Sequence, residues 1–212
     1  MKKSFLAIVA IMFAANVFAQ DRPVPGYLSG VPEVLNYQLE MCKVLFNSED
    51  YPLSNNGFTI EPSLMAEKGV RISRELGTNN CVLVLTKAVD RTFWGAFRKE
   101  RRTEMPTIQT YELKLNEELG SKLQGLLKSS VLASAYPLKP DTKLDGLVFG
   151  LFSEGNTATL HSPEPSTNCA KLIDVLWKIC DSIEKNDVEQ YKSLVPEMER
   201  LTQYFTSLWP KE

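Results

Sequence analysis

Histidine is nearly missing from this 212-residue chain, which contains one, His161. That scarcity excludes the two-histidine zinc motif of metalloproteases and confines any histidine-based nucleophilic triad to a single position. The sequence also lacks a G-x-S-x-G elbow, a P-loop and a G-x-G-x-x-G turn, so it offers nothing for α/β-hydrolase or nucleotide chemistry. No dinucleotide, metal or other cofactor is called for. The tetrad Ser182-Ile183-Glu184-Lys185 fits S-x-x-K, but no K-T-G accompanies it, and chance explains the match. Asp141 and Asp145-Gly146 resemble half of a calcium loop without its alternating oxygen ligands or closing glutamate, and a turn before a strand accounts for them. Carboxylate-pair hydrolysis remains open, because any two acids can converge in space.

Long apolar runs are absent after Gln20. The one at the N-terminus, Phe5 to Phe18, follows Lys2 and Lys3 and ends at Val17-Phe18-Ala19. It is too short and one-sidedly flanked for a good membrane span and fits a secretory signal peptide, residues 1–19, cleaved after Ala19. The expectation is a secreted or periplasmic protein with no transmembrane segment in the mature chain, and a single domain over residues 20–212. Loss of Lys2 and Lys3 takes the net charge from −2 to about −4, a balance that argues against a nucleic-acid partner or an anionic membrane surface.

Cysteine is sparse but even in number: Cys42, Cys81, Cys169 and Cys180. In an exported chain that count predicts two disulfides. Cys169 and Cys180 fall on one predicted helix, eleven residues apart, hence roughly 16 Å, whereas a disulfide needs Cα atoms within about 7 Å. Each is therefore expected to reach back to Cys42 or Cys81. The spacing lacks the close C-x-x-C pair of a zinc site.

Periodicity supplies the fold. DRPVPGYLSG, residues 21–30, reads as an extended leader, and helical spacing from Pro32 to Phe46 predicts a helix. Residues 47–69, with two prolines and Asn55-Asn56-Gly57, read as a long surface connection. Strands follow at VRISREL, CVLVLTKAVDRTFW and TIQTYELKL, then a helix capped by Asn116 with Glu117 and Glu118 in its first turn. The theme recurs as LVFGLF, a Ser-Glu-Gly-Asn turn, TATLH and a helix whose stripe runs from Cys169 to Ile183. Two strand-strand-helix units, roughly 81–135 and 146–185, imply an α+β fold: an antiparallel sheet of about five strands covered on one side by two or three helices. A last helical stretch starts at Asp187, with Gln190 placed for a capping box, and restarts at Pro196.

Two stretches carry candidate chemistry. LHSPEPSTNCAKL, Leu160 to Leu172, sets His161 near Ser162, Ser166, Thr167 and Cys169. Adjacent residues at a strand end rarely turn their side chains toward one another, so a strand handing over to a helix capped by Ser166 is the preferred reading over catalysis. RTFWGAFRKERRTEMP gathers Arg91, Arg98, Arg101 and Arg102 around Trp94 and Phe97 in an otherwise acidic chain. Arginine and aromatics together suit an interface or an anionic polymer, so these six residues form the candidate binding surface, with an envelope protein or glycan as partner. A hairpin connection with buried rings and solvated charges is the competing account.

Residues 145–176, DGLVFGLFSEGNTATLHSPEPSTNCAKLIDVL, resemble a pattern in small exported bacterial proteins of uncharacterised function. There Asp-Gly opens a strand, an aromatic follows, and Ser-Pro precedes a leucine-rich helix. Such families often place an aromatic before the Ser-Pro, where this chain has His161. The resemblance implies a hairpin-to-helix passage and export, and no activity. The function expected from these readings is noncatalytic binding in the envelope or outside the cell, the alternative being an envelope-directed hydrolase.

Overall fold

A computed structural model describes residues 23–25, 32–47, 56–62, 65–75, 77–90, 106–134, 147–161 and 163–209. In chain order its elements are β1 (Val24–Pro25), α1 (Pro32–Phe46), β2 (Asn56–Pro62), β3 (Lys68–Arg74), β4 (Cys81–Ala88), β5 (Ile108–Leu115), α2 (Glu117–Ala133), β6 (Leu147–Ser153), β7 (Asn156–His161), α3 (Asn168–Lys185), α4 (Val188–Ser193) and α5 (Val195–Ser207). The strands form one antiparallel sheet in the order β1-β7-β6-β2-β3-β4-β5. The fold is α+β, with six full strands and the two-residue β1.

β2 occupies the middle of that sheet, although residues 47–69 read as a surface connection. The strand GFTIE alternates: Phe58 and Ile60 are fully buried on one face, and Thr59 and Glu61 are buried on the other. Five residues of alternation between prolines carry little signal alone, and the strand is fixed by pairing with β3 on one side and β6 on the other.

The two strand-strand-helix units are present as β4-β5-α2 and β6-β7-α3. Asn116 caps α2, its Oδ1 accepting from the Leu119 N–H at 2.9 Å. Thr167, not Ser166, caps α3: its hydroxyl accepts from the Ala170 N–H at 3.1 Å and donates to the Glu164 carbonyl at 2.8 Å. Asp187 caps α4 by accepting from the Gln190 N–H at 2.8 Å, while its own N–H donates to the Ser182 carbonyl. The reciprocal half of a capping box therefore has no free donor to serve.

Helices α2 to α5 cover one face of the sheet, over a core that includes Leu83, Leu85, Leu113, Phe149, Leu151 and Leu160. The sequence reading put all helices there, but α1 packs on the opposite face, where Tyr37, Met41, Cys42, Leu45 and Phe46 join Ala88 and Phe152 in a smaller cluster. Strand alternation explains both layers, because β2 and β3 send small or polar residues toward α1: Gly57, Thr59, Gly69 and Arg71.

Gly69 sets how closely α1 approaches. A Cβ there would stand 2.8 Å from the Leu45 Cβ. Gly69→Ala is expected to lower stability by about 1–2 kcal/mol through overpacking, read by urea unfolding. Only Leu45→Gly removes the obstructing Cβ, so the cost of Gly69→Ala/Leu45→Gly should fall short of the sum of the two single changes, since the two sites touch.

Candidate functional site

The six residues expected to form a binding surface, Arg91, Trp94, Phe97, Arg98, Arg101 and Arg102, lie outside the described residues. The roots of their segment are described. The Asp90 carboxylate accepts from the Thr107 N–H at 2.8 Å and from its hydroxyl at 2.9 Å, and the Val89 N–H donates to the Thr107 carbonyl. These bonds close the β4-β5 connection at its base.

His161 ends β7, opposite Val148 in the register. By strand alternation its side chain shares a face with Thr157 and Thr159, away from Ala158 and Leu160. Cys169 lies in the first turn of α3 with no exposed surface, within the core on the other face. The structure thus separates the two, and Ser162 lies outside the described residues. Ser182 of the S-x-x-K match is also fully buried, its hydroxyl donating to the Lys178 carbonyl at 2.9 Å, a helix-internal bond.

The expected disulfides are not seen: all four cysteines are buried, and none is bonded to another. Cys42 belongs to the cluster beneath α1, whereas Cys81, Cys169 and Cys180 belong to the core on the other face, so the sheet stands between Cys42 and the rest. Cys81 packs against Gly120 of α2, and Cys169 and Cys180 are both held by α3. Burial pushes the Cys180 thiol up to about 12, and burial raises Cys81 despite the opposing influence of Arg74, so neither supplies a thiolate at neutral pH.

Two buried carboxylates lie near Tyr37 of α1. The Tyr37 hydroxyl donates to Glu67 Oε1 at 2.9 Å, and the Thr59 hydroxyl donates to Glu61 Oε1 at 3.0 Å. Burial, followed by the nearby charges of Glu61 and Glu67, raises the Tyr37 phenol far above its ordinary value. Glu67 is 1% exposed and Glu61 9%, which leaves no open face on which a substrate could sit between them. The Tyr37–Glu67 bond ties α1 to the residue that precedes β3, and the Thr59–Glu61 bond lies within β2. Among the described residues no three of His, Cys, Asp and Glu gather as metal ligands would, and no helix is long and apolar enough to cross a membrane.

An open groove runs along the same face, between the C-terminal half of α1 and strands β3 to β5. It has a volume of about 660 Å³, within the range of roughly 300–1,000 Å³ common for ligand sites. Val84 and Thr86 form its floor, Lys43 to Asn47 one wall, and Arg71, Ile108, Thr110 and Glu112 the remainder. Register explains the arrangement. Arg71 pairs with Val84 and Val84 with Glu112, so these three stand in one row across β3, β4 and β5.

The charges in this groove differ in their commitments. Lys43 is bonded to Glu40 at 3.0 Å on the exposed side of α1. Arg71 Nε is buried with no hydrogen-bond partner, and among the described residues neither Arg71 nor Glu112 forms an ion pair. A buried N–H without an acceptor costs about 1–3 kcal/mol, more on a charged group. These residues were not singled out in the sequence. Alternation in VRIS and TIQTYELKL already set Arg71 and Glu112 opposite the core residues of their strands, but only the register makes them neighbours. No family model, curated protein or solved structure matches the chain.

Proposed function

We propose that this chain is a noncatalytic binding protein of the cell envelope or extracellular space, with its ligand seated in the groove between α1 and strands β3 to β5. One observation carries the reading: an open groove of ligand size whose row Arg71-Val84-Glu112 sets a guanidinium and a carboxylate on either side of Val84, neither in an ion pair among the described residues. Binding is favoured over hydrolysis because the described lining residues include no paired acid and base. Among the described lining residues Glu112 is the only acid and His161 is absent, and the buried Glu67 is bonded to Tyr37 of α1. The location outside the cytosol rests on the signal-peptide character of residues 1–19. The basic-aromatic segment from Arg91 to Arg102 remains a second candidate surface, for an envelope protein or glycan.

Native mass spectrometry of the mature chain purified from its own envelope fraction tests this proposal. The expected result is a chain beginning at Gln20 that carries a small-molecule adduct, recovered intact after prolonged incubation and reduced at least tenfold in Arg71→Met. An adduct unchanged in that variant, or one cleaved on the protein, would contradict it.

A further inference from the structure

We infer that two copies of this chain pair through strand β5, antiparallel and centred on Leu113, so that Glu112 of each copy faces the partner's Lys114. This surface lies beyond the binding role proposed above and does not depend on it.

The two margins of the sheet differ. At one, β1 is two residues long and ends in Pro25, which has no N–H to offer, so it is a poor template for a further strand. At the other, β5 runs eight residues in unbroken register with β4, without proline or glycine, and has no strand on its other side. Among the described residues nothing bonds to its outer backbone edge, and Gln109, Thr110, Glu112 and Lys114 are exposed. A long, regular edge of this kind invites another strand.

A second β5 supplies the complementary strand. Two copies of one edge meet about a two-fold axis and run antiparallel, and opposite residues must share a face of the joined sheet. Centred on Leu113, the pairing sets Glu112 opposite the partner's Lys114 at two symmetric places and Tyr111 opposite the partner's Leu115. Centred on Glu112 it would bring two carboxylates together. Centred on Tyr111 it would set both charges against uncharged residues, Lys114 against Ile108 and Glu112 against Thr110. Opposite residues stand about 5 Å apart at Cβ, close enough for unlike charges to bond and like charges to repel. The five residues from Tyr111 to Leu115 would exchange about four to six backbone hydrogen bonds across the axis. Both charges are available for this. Glu112 is in no ion pair among the described residues, and its two oxygens can face a groove ligand and the partner's ammonium together. Lys114 is 64% exposed and bonded to Glu75 at 2.9 Å, with N–H donors to spare.

Sedimentation velocity at low ionic strength tests the pairing on the mature chain and on Glu112→Lys and Lys114→Glu, with circular dichroism to confirm that each variant is folded. The parent chain should dimerise. Each single change sets like charges opposite one another at both places and should raise the dimer dissociation constant about tenfold or more. Mixed one to one, the two variants should recover the parent's dissociation constant, because a copy with two lysines then faces a copy with two glutamates. A defect in either fold cannot produce that recovery. In the parent, hydrogen exchange at the β5 amides should slow as concentration rises, a readout that needs no variant. A parent chain that stays monomeric into the millimolar range, a dimer indifferent to both changes, or a mixture no tighter than its components overturns the inference. Protection of all β5 amides that is independent of concentration overturns it too, and assigns the edge to another segment of the same chain.

Discussion

Phe149→Ala is expected to lower the unfolding free energy by about 3–5 kcal/mol, the range for removing a fully buried aromatic and leaving a cavity. Phe149 has no exposed surface and lies in β6 between Ile60 of β2 and Leu160 of β7. Its ring meets the Trp177 indole edge to face at 6.2 Å and 88°, an arrangement worth about 0.5–1.5 kcal/mol beyond area burial. Sheet and α3 are joined there, so little can collapse into the space. Urea unfolding should show a lower midpoint with an unchanged slope, and a loss under 2 kcal/mol would mean that α3 closes the gap. Trp177 fluorescence provides a local probe of the same event.

The second large effect belongs to the row that Phe149 shares. Read across the sheet on that face, the register runs Gln109, Lys87, Lys68, Ile60, Phe149, Leu160. Two lysines therefore stand directly opposite one another, which is unfavourable for like charges. Glu184 of α3 resolves the conflict by accepting from Lys68 at 2.9 Å and from Lys87 at 2.7 Å. The ammonium groups also lie over rings, Lys68 above Trp177 at 5.2 Å and Lys87 above Tyr111 at 4.9 Å. Removing one partner of a buried pair costs about 3–5 kcal/mol, and with Glu184 a quarter exposed, Glu184→Leu is expected to cost about 2–4 kcal/mol.

The sign of its pH dependence follows from the titrations. Burial pushes the Glu184 carboxyl up, but the hydrogen bonds from Lys87 and Lys68 outweigh it and hold the group below its ordinary value. Its contribution is therefore complete above the unfolded carboxylate pKa of about 4.3 and is lost as pH falls through the depressed folded value. For Lys87, burial opposes the charged form, yet Glu184 raises the pKa above its ordinary value. That share is present below about pH 10.4 and disappears as pH rises through the raised folded value. The stability gap between the parent chain and Glu184→Leu should thus be wide at neutral pH and narrow sharply in strong acid. A gap equally wide at pH 7 and in strong acid would show that lost packing, not charge, is responsible.

These residues also mark what the sequence could convey. The continuous apolar run Cys81 to Leu85 and the stripe from Cys169 to Ile183 announced a strand and a core helix, because the signal for each lies within the element itself. Asn116 was legible as a cap for the same reason: its partner, Leu119, is three residues away. β2 was not legible, since Pro62 and Asn55-Asn56-Gly57 suggest a loop and its membership depends on strands far along the chain. The candidate site failed for the same cause. Arg71 and Glu112 are ordinary surface letters in their strands, and only pairing through Val84 sets them in one row. The cysteines show the converse: even number and export suggest links, whereas alternation and helix placement put Cys42 and the other three on opposite faces.

The position of β2 has a bearing on how the chain assembles. Its partners arrive at different times, β3 immediately and β6 only after β4, β5 and α2 have passed, so that Thr59 meets Gly150 from about ninety residues away. Closing so distant a contact carries a high entropic cost before any bond repays it. The early four-stranded meander therefore waits with an open flank until the second hairpin docks, and that docking is the natural bottleneck of folding and the moment at which nascent molecules are most prone to pair with one another.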